Sequence, residues 1–280
     1  MRRLQPLRRT LLQWLPLAPW LPVMAAPARS APPLPADPLG SAQWPDLARQ
    51  FMGDAPVQVS AHVVVQAPVH ADDPMNVPVR VDARPLLQAT GQSGRQVRRI
   101  RVVADLNPIR HVLDFEPLGV APVLAFRMRL EQASAVRALV QTDEGRWHVA
   151  GVRVGAAGGG CTAPGGNRSD GSWQNTLGQV QARWFDNADE HTRRLRLRVM
   201  HPMDTGLVAG VPAFHLETLA ISDGQGRVVC RLFLHEPVAE NPLFTLEWPQ
   251  ALSAQGPWRL TGRDNNGLRI DEAINKGTGA

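Results

Sequence analysis

Apolar and polar residues alternate with period two over most of this chain. The segments 57–61, 77–81, 97–103, 123–130, 134–141 and 147–154 all show it, with Phe126-Arg127-Met128-Arg129-Leu130 as a clear case. Side chains that change face at every residue can bury one set only on a β-strand. Turn signals lie between these runs at Asp72-Asp73-Pro74, Gly91 to Gly94, Asn107-Pro108 and Asp143-Glu144-Gly145. Roughly seven short strands in about 100 residues, without alternating helices, predict an antiparallel sandwich. A second set of strands follows at 178–184, 194–200, 211–221, 227–235, 243–248 and 258–264, and predicts a second sandwich. Trp147, Trp184, Trp248 and Trp258 fall inside these strands and read as core. Helical spacing occurs in Trp44–Met52, which predicts one short N-terminal helix. After Ile270 the sequence DEAINKGTGA reads as a frayed tail.

One stretch breaks the alternation. Residues 155–173 join the two strand sets and place Cys161 among Gly155, Gly158, Gly159, Gly160, Gly165 and Gly166. Glycine loses more backbone entropy on ordering than any other residue, so this composition predicts a mobile arm presenting an exposed thiol. The second cysteine, Cys230, shares a strand face with Val228, Leu232 and Leu234, which predicts a buried, inert side chain. Two readings of the pair stay open. Either Cys161 is a free, travelling thiol, or Cys161 and Cys230 form a structural disulfide within a β-sandwich binding or interaction module. A haem attachment motif and zinc-ligand spacing are both missing around Cys161. His201 and Asp204 lie in His201-Pro202-Met203-Asp204-Thr205-Gly206, which reads as a β-turn rather than a metal site, and Asp72-Asp73 reads as a solvated turn.

Charge adds a constraint on partners. The formal net charge is +5, but Arg2, Arg3, Arg8 and Arg9 supply four of those charges, and about +1 remains for the rest. That balance argues against a nucleic-acid surface. The same arginines precede the apolar run LLQWLPLAPWLPVMAA and the small residues Ala25, Ala26 and Ala28, the pattern of a cleavable signal peptide. Arg8-Arg9-Thr10-Leu11-Leu12 resembles a twin-arginine export signal. Pro16, Pro19 and Pro22 disfavour a spanning helix, so no membrane attachment is expected after cleavage. The expected organisation is a signal peptide over 1–28, a Pro-rich spacer over 29–43, a first sandwich over 44–154, the Gly-rich arm over 155–173, a second sandwich over 174–270 and a tail over 271–280.

Four groups of residues in the first half, Asp105-Leu106-Asn107-Pro108, Phe126 to Leu130, Trp147-His148-Val149-Ala150 and Gly158-Gly159-Gly160-Cys161, resemble the SoxY subunit of the periplasmic sulfur-oxidation carrier. In the second half, the 201–206 turn, Val211-Pro212-Ala213-Phe214, Glu240-Asn241-Pro242 and Asp264-Asn265-Asn266-Gly267 resemble its SoxZ partner. The resemblance implies a fused carrier of the kind associated with quinoprotein dehydrogenases, an all-β chain of two immunoglobulin-like sandwiches. It implies that Cys161 covalently carries thiosulfate-derived sulfur, with Gly158 to Gly160, Gly165 and Gly166 giving the arm its freedom. The partners it implies are periplasmic haem and dimanganese enzymes. The carrier itself is expected to hold no cofactor and no metal, and to be no enzyme. A separate SoxY ends close to its cysteine, whereas this chain continues to Ala280, with Thr162-Ala163-Pro164 in place of further glycines. The arm would thus enter a partner as a doubled loop, reaching on the order of 20 Å with about seven residues on each side.

Overall fold

The computed structural model describes residues 32–89, 96–166, 171, 173–187, 192–253 and 256–274. The expected signal peptide, the Gly91 to Gly94 turn, part of the Gly-rich segment and the last six residues lie outside the described residues. Sixteen strands and four helices are described. The first half holds α1 (Trp44–Met52), β1 (Val57–Val59), β2 (Val64–Gln66), β3 (His70–Ala71), β4 (Val77–Asp82), α2 (Arg84–Ala89), β5 (Val97–Ala104), β6 (His111–Glu116), β7 (Val123–Met128), β8 (Ser134–Thr142) and β9 (Trp147–Ala156). The second half holds α3 (Trp173–Thr176), β10 (Val180–Asn187), β11 (Thr192–Val199), β12 (Leu216–Ser222), β13 (Val228–Leu234), β14 (Leu243–Pro249), α4 (Gln250–Ser253), β15 (Trp258–Asp264) and β16 (Arg269–Ile274).

Two sheets face each other across one apolar layer, and each runs through both halves. The larger has the order β1-β9-β8-β5-β6-β13-β12-β15-β16, with β3 also on β9, and the smaller β10-β11-β14-β7-β4-β2. The halves meet strand to strand. Antiparallel pairing sets Leu232 opposite Phe115 and Leu234 opposite Leu113 in one sheet, and Leu246 opposite Leu124 in the other. Buried side chains from both halves form a single cluster that includes Ile100, Phe115 and Leu124 with Leu197, Leu232 and Phe244. Sandwich-like sheets form as the strand pattern predicts, and paired strands and a common core join the two halves as well as the Gly-rich segment.

Charged contacts reinforce this seam. Glu247 of β14, almost fully buried, receives Arg80 at 3.2 Å and Arg84 at 2.9 Å from the first half. Arg231 of β13 donates to Glu116 of β6 at 3.1 Å. Trp184, Trp248 and Trp258 stack edge to face at 5.3 and 5.6 Å inside the second half, as core.

The helix expected at Trp44–Met52 forms with those limits; Gly53 closes it in the left-handed region at φ 60°. Trp44, Leu47, Ala48, Phe51 and Met52 cover Val103, Leu139, Trp147 and Val149 on the outer face of the larger sheet. β8 is therefore buried on both faces.

Two sequence expectations need correction. The proline-rich lead-in is irregular but docked in its described part. Asp37 forms a two-pronged pair with Arg137 at 2.7 and 2.8 Å, and the Trp44 indole donates to the Pro35 carbonyl at 3.0 Å. The supposed tail begins inside β16, where Asp271 pairs opposite Thr261 and Ile274 opposite Trp258. Among the described residues no helix is long and apolar enough to cross a membrane.

Candidate functional site

Cys161 sits at the seam, where the segment leaving β9 meets the loop between β11 and β12. Its approach is dictated by close backbone packing. Gly158 and Gly159 adopt φ of 109° and 79°, conformations that disfavour side chains. The Gly159 N–H donates to the Glu131 carbonyl at 3.0 Å and the Gly160 N–H to the Leu130 carbonyl at 3.2 Å. Gly160 has an ordinary φ but no room, since a Cβ there would lie 2.3 Å from the Pro74 carbonyl oxygen and 2.4 Å from that of Leu130. Gly165 packs against the Glu240 carboxylate, and the Gly166 N–H donates to it at 3.0 Å.

The expectation of a mobile arm with an exposed thiol is therefore corrected. Cys161 is 1% exposed. Its N–H donates to Glu131 Oε2 at 3.0 Å, and its carbonyl accepts from Thr205 Oγ1 at 2.6 Å. Thr162 Oγ1 donates to the same Glu131 carboxylate at 3.0 Å. The physical reason is that these glycines act through what they lack. Gly158 and Gly159 supply positive φ, Gly160 leaves room against the Leu130 and Pro74 carbonyls, and the polar groups so buried find partners in Glu131 and Thr205.

The electrostatics follow from burial. Desolvation pushes the Cys161 thiol from 9.0 to about 12, the Glu131 carboxylate adds to the rise, and Arg129 opposes it. Arg129, itself 1% exposed, donates to the Gly160 and Pro202 carbonyls at 3.4 Å each, while its Nε has no hydrogen-bond partner. Its main chain is pinned by Asn107, whose side chain donates to the Arg129 carbonyl and accepts from the Glu131 N–H, both at 2.9 Å.

The 201–206 turn lies under this loop. His201 is buried; its Nδ1 accepts from the Met203 N–H at 3.1 Å, and its Nε2 lies 3.4 Å from Asp264 Oδ2. Burial lowers its pKa to about 4 against the pull of Asp264, so the ring is neutral at pH 7. Asp204 bridges backbone to backbone with Phe214. Among the described residues no group of three His, Cys, Asp or Glu side chains is arranged to hold a metal ion.

Cys230 lies in β13, buried in the common core, with its thiol pushed to about 12 by desolvation. Both cysteines are free, so the alternative Cys161–Cys230 disulfide is not formed. Three residues of the site, Glu131, Arg129 and Thr205, are given no role of their own by the sequence, although Arg129 and Thr205 lie inside motifs that carry the family resemblance. Thr205 lies in the 201–206 motif, read as a turn and as part of the SoxZ resemblance but with no contact to Cys161 implied, and Glu131 has no signal beyond following the β7 strand pattern.

The family comparison bears on residues 48–161. No curated protein matches the chain. Among solved structures, the sulfur carrier protein SoxY from Chlorobium limicola f thiosulfatophilum is 23% identical, with a TM-score of 0.34, over 41% of this chain and 96% of that one. The superoxide reductase (neelaredoxin) from Ignicoccus hospitalis is 17% identical, with a TM-score of 0.27, over 34% of this chain and 79% of that one. The family model described as "Sulfur oxidation protein SoxY" matches residues 48–161, a span that begins inside α1 and ends on Cys161 itself.

Proposed function

We propose that the chain is a sulfur carrier that holds its cargo covalently on Cys161 Sγ, and that the buried thiol is its sheltered state. The observation that carries this reading is the SoxY family match ending on the one thiol that lies in a loop at the seam. Loading with thiosulfate joins the Cys161 thiol to the sulfane sulfur, giving Cys–S–S–SO₃⁻ and releasing one proton and two electrons. A haem partner takes the electrons. Hydrolysis by a dimanganese partner then adds water, releases sulfate and a proton, and leaves a persulfide on Cys161. A quinoprotein dehydrogenase system is the alternative setting, and the periplasm is the compartment in either. The carrier contributes no cofactor and is not an enzyme in its own right.

The sheltered state has a chemical consequence. With its pKa near 12, only about one thiol in 10⁵ is ionised at pH 7, and the thiolate is the nucleophile. Loading therefore requires release of the loop from Glu131 and Thr205. A carried group drawn back into this site is shielded from stray thiols, which would displace it by exchange.

Intact-mass measurement tests the proposal. Protein incubated with thiosulfate and an oxidising haem partner is expected to gain an adduct on Cys161 that dithiothreitol removes. An unchanged mass under those conditions would refute it. The alternative of a disulfide-closed binding module predicts no titratable thiol, whereas two free thiols per chain are expected after denaturation.

A further inference from the structure

Behind the Cys161 loop, on the outward side of the smaller sheet, lies a cavity of about 470 Å³. Both halves of the chain line it. Arg127 and Arg129 come from β7 and the residue after it, Arg196 and Arg198 from β11, and Asp73 and Glu240 from loops. The strand between them, β14, places Thr245 opposite Arg196 and Leu243 opposite Arg198. Leu243, uncharged, lines the cavity between the arginines.

Four guanidinium groups face two carboxylates here. Arg127, Arg196 and Arg198 are exposed, and among the described residues no carboxylate forms an ion pair with them. Arg129 forms the buried wall; among the described residues its hydrogen bonds are two long contacts to carbonyl oxygens, its Nε is unsatisfied, and the Glu240, Asp204 and Asp73 carboxylates act on it without forming an ion pair. A buried guanidinium with so few partners, beside three more of like charge, is unfavourable unless an anion completes the site. Burial accordingly pushes its pKa down, against the pull of Glu240, Cys161 and Asp204. A guanidinium presents paired donors to the oxygens of a tetrahedral oxyanion, a geometry that lysine cannot reproduce.

The cavity is connected to the thiol through the same loop. Arg129 donates to the carbonyl of Gly160, the residue before Cys161, and Gly166 lines the cavity wall. We propose that this pocket is an oxyanion site formed jointly by the two halves. Its ligand is a dianionic sulfur oxyanion of the sulfate or thiosulfate class, held next to the carrier loop. The existence of an anion site rests on the arginines alone, and its assignment to sulfur oxyanions rests on the carrier reading.

The test uses the full chain carrying Cys161→Ser, so that no covalent capture can occur. Thiosulfate, sulfate and phosphate are titrated separately by calorimetry at constant ionic strength in sodium chloride. Saturable binding of thiosulfate and sulfate is expected, with phosphate weaker. Affinity is expected to fall at least about tenfold in Arg129→Gln and in the double variant R196Q/R198Q. The double variant alters only exposed positions, so it remains informative if Arg129→Gln does not fold. Absence of saturable binding, or unchanged affinity in the double variant, overturns the site. Tighter binding of phosphate than of either sulfur oxyanion overturns its assignment to sulfur. Failure of the carrier reading is separately visible, as a protein that binds the anions yet gains no mass on wild-type Cys161.

Discussion

At the scale of single residues, the chemistry of Cys161 depends on its partners. A thiol whose pKa is raised in the closed loop favours that loop while it stays protonated. This contribution is fully present below about pH 9 and is lost as pH rises towards 12. Alkylation by iodoacetamide at pH 8 is expected to be about 100-fold slower for Cys161 in native protein than in denatured protein. Equal rates would show that the thiol is not sheltered. Thr205→Val and Glu131→Gln each remove part of the clasp. The loss of about 1 kcal/mol from one hydrogen bond should raise the native alkylation rate about fivefold. Asp37 behaves in the opposite sense. Burial alone would raise its pKa, but Arg137 and the N–H groups of Ser41 and Leu39 hold it down to about 2. Its stabilising contribution is present above about pH 4 and is lost as pH falls through 2. Asp37→Asn should lower stability at pH 7 by about 1.5–3 kcal/mol, and the gap from wild type should narrow between about pH 4 and pH 2, as read by denaturant unfolding.

At the scale of elements, Gly160 and Gly165 beside Cys161 act as packing residues rather than as hinges. Gly160→Ala would press a methyl group against the carbonyls of Pro74 and Leu130, and should cost about 1–3 kcal/mol while exposing Cys161 to alkylation. If Gly160→Ala instead left stability and alkylation unchanged, the close packing would be wrong. Most strands were legible because period two survives where one face meets solvent, and β8, though buried on both faces, still reads as alternating because Arg137 and Gln141 fall among its apolar residues. β6 was not, because Val112 to Phe115 are all buried and no alternation remains. Its Asp114 interrupts the apolar run, yet Arg101 and His111 hold that carboxylate well below its usual range inside the fold, against the effect of burial. The residues of the loop were legible by composition, but its conformation was not. Glycine-rich sequence reads as freedom, and nothing local reveals that the Leu130 and Pro74 carbonyls wait within reach. Glu131 and Thr205 come to Cys161 from positions 30 and 44 residues away, a proximity that only the tertiary fold creates.

At the scale of the whole molecule, the seam makes the two halves a single cooperative body. Leu113, fully buried where β6 meets β13, contacts both sets of strands. Leu113→Ala should destabilise by about 2–5 kcal/mol and leave one unfolding transition, coincident by far-ultraviolet circular dichroism and tryptophan fluorescence. Two separated transitions would show that the halves fold independently. The same seam has a meaning for the covalent chain itself. Because the halves hold each other through two sheet edges and a shared core, the peptide link between them is not what keeps them together. A single proteolytic cut between β9 and β10 should give two fragments that still co-elute. In the intact protein the link instead fixes a one-to-one stoichiometry and supplies an effective concentration on the order of millimolar, so neither half is ever made without its mate.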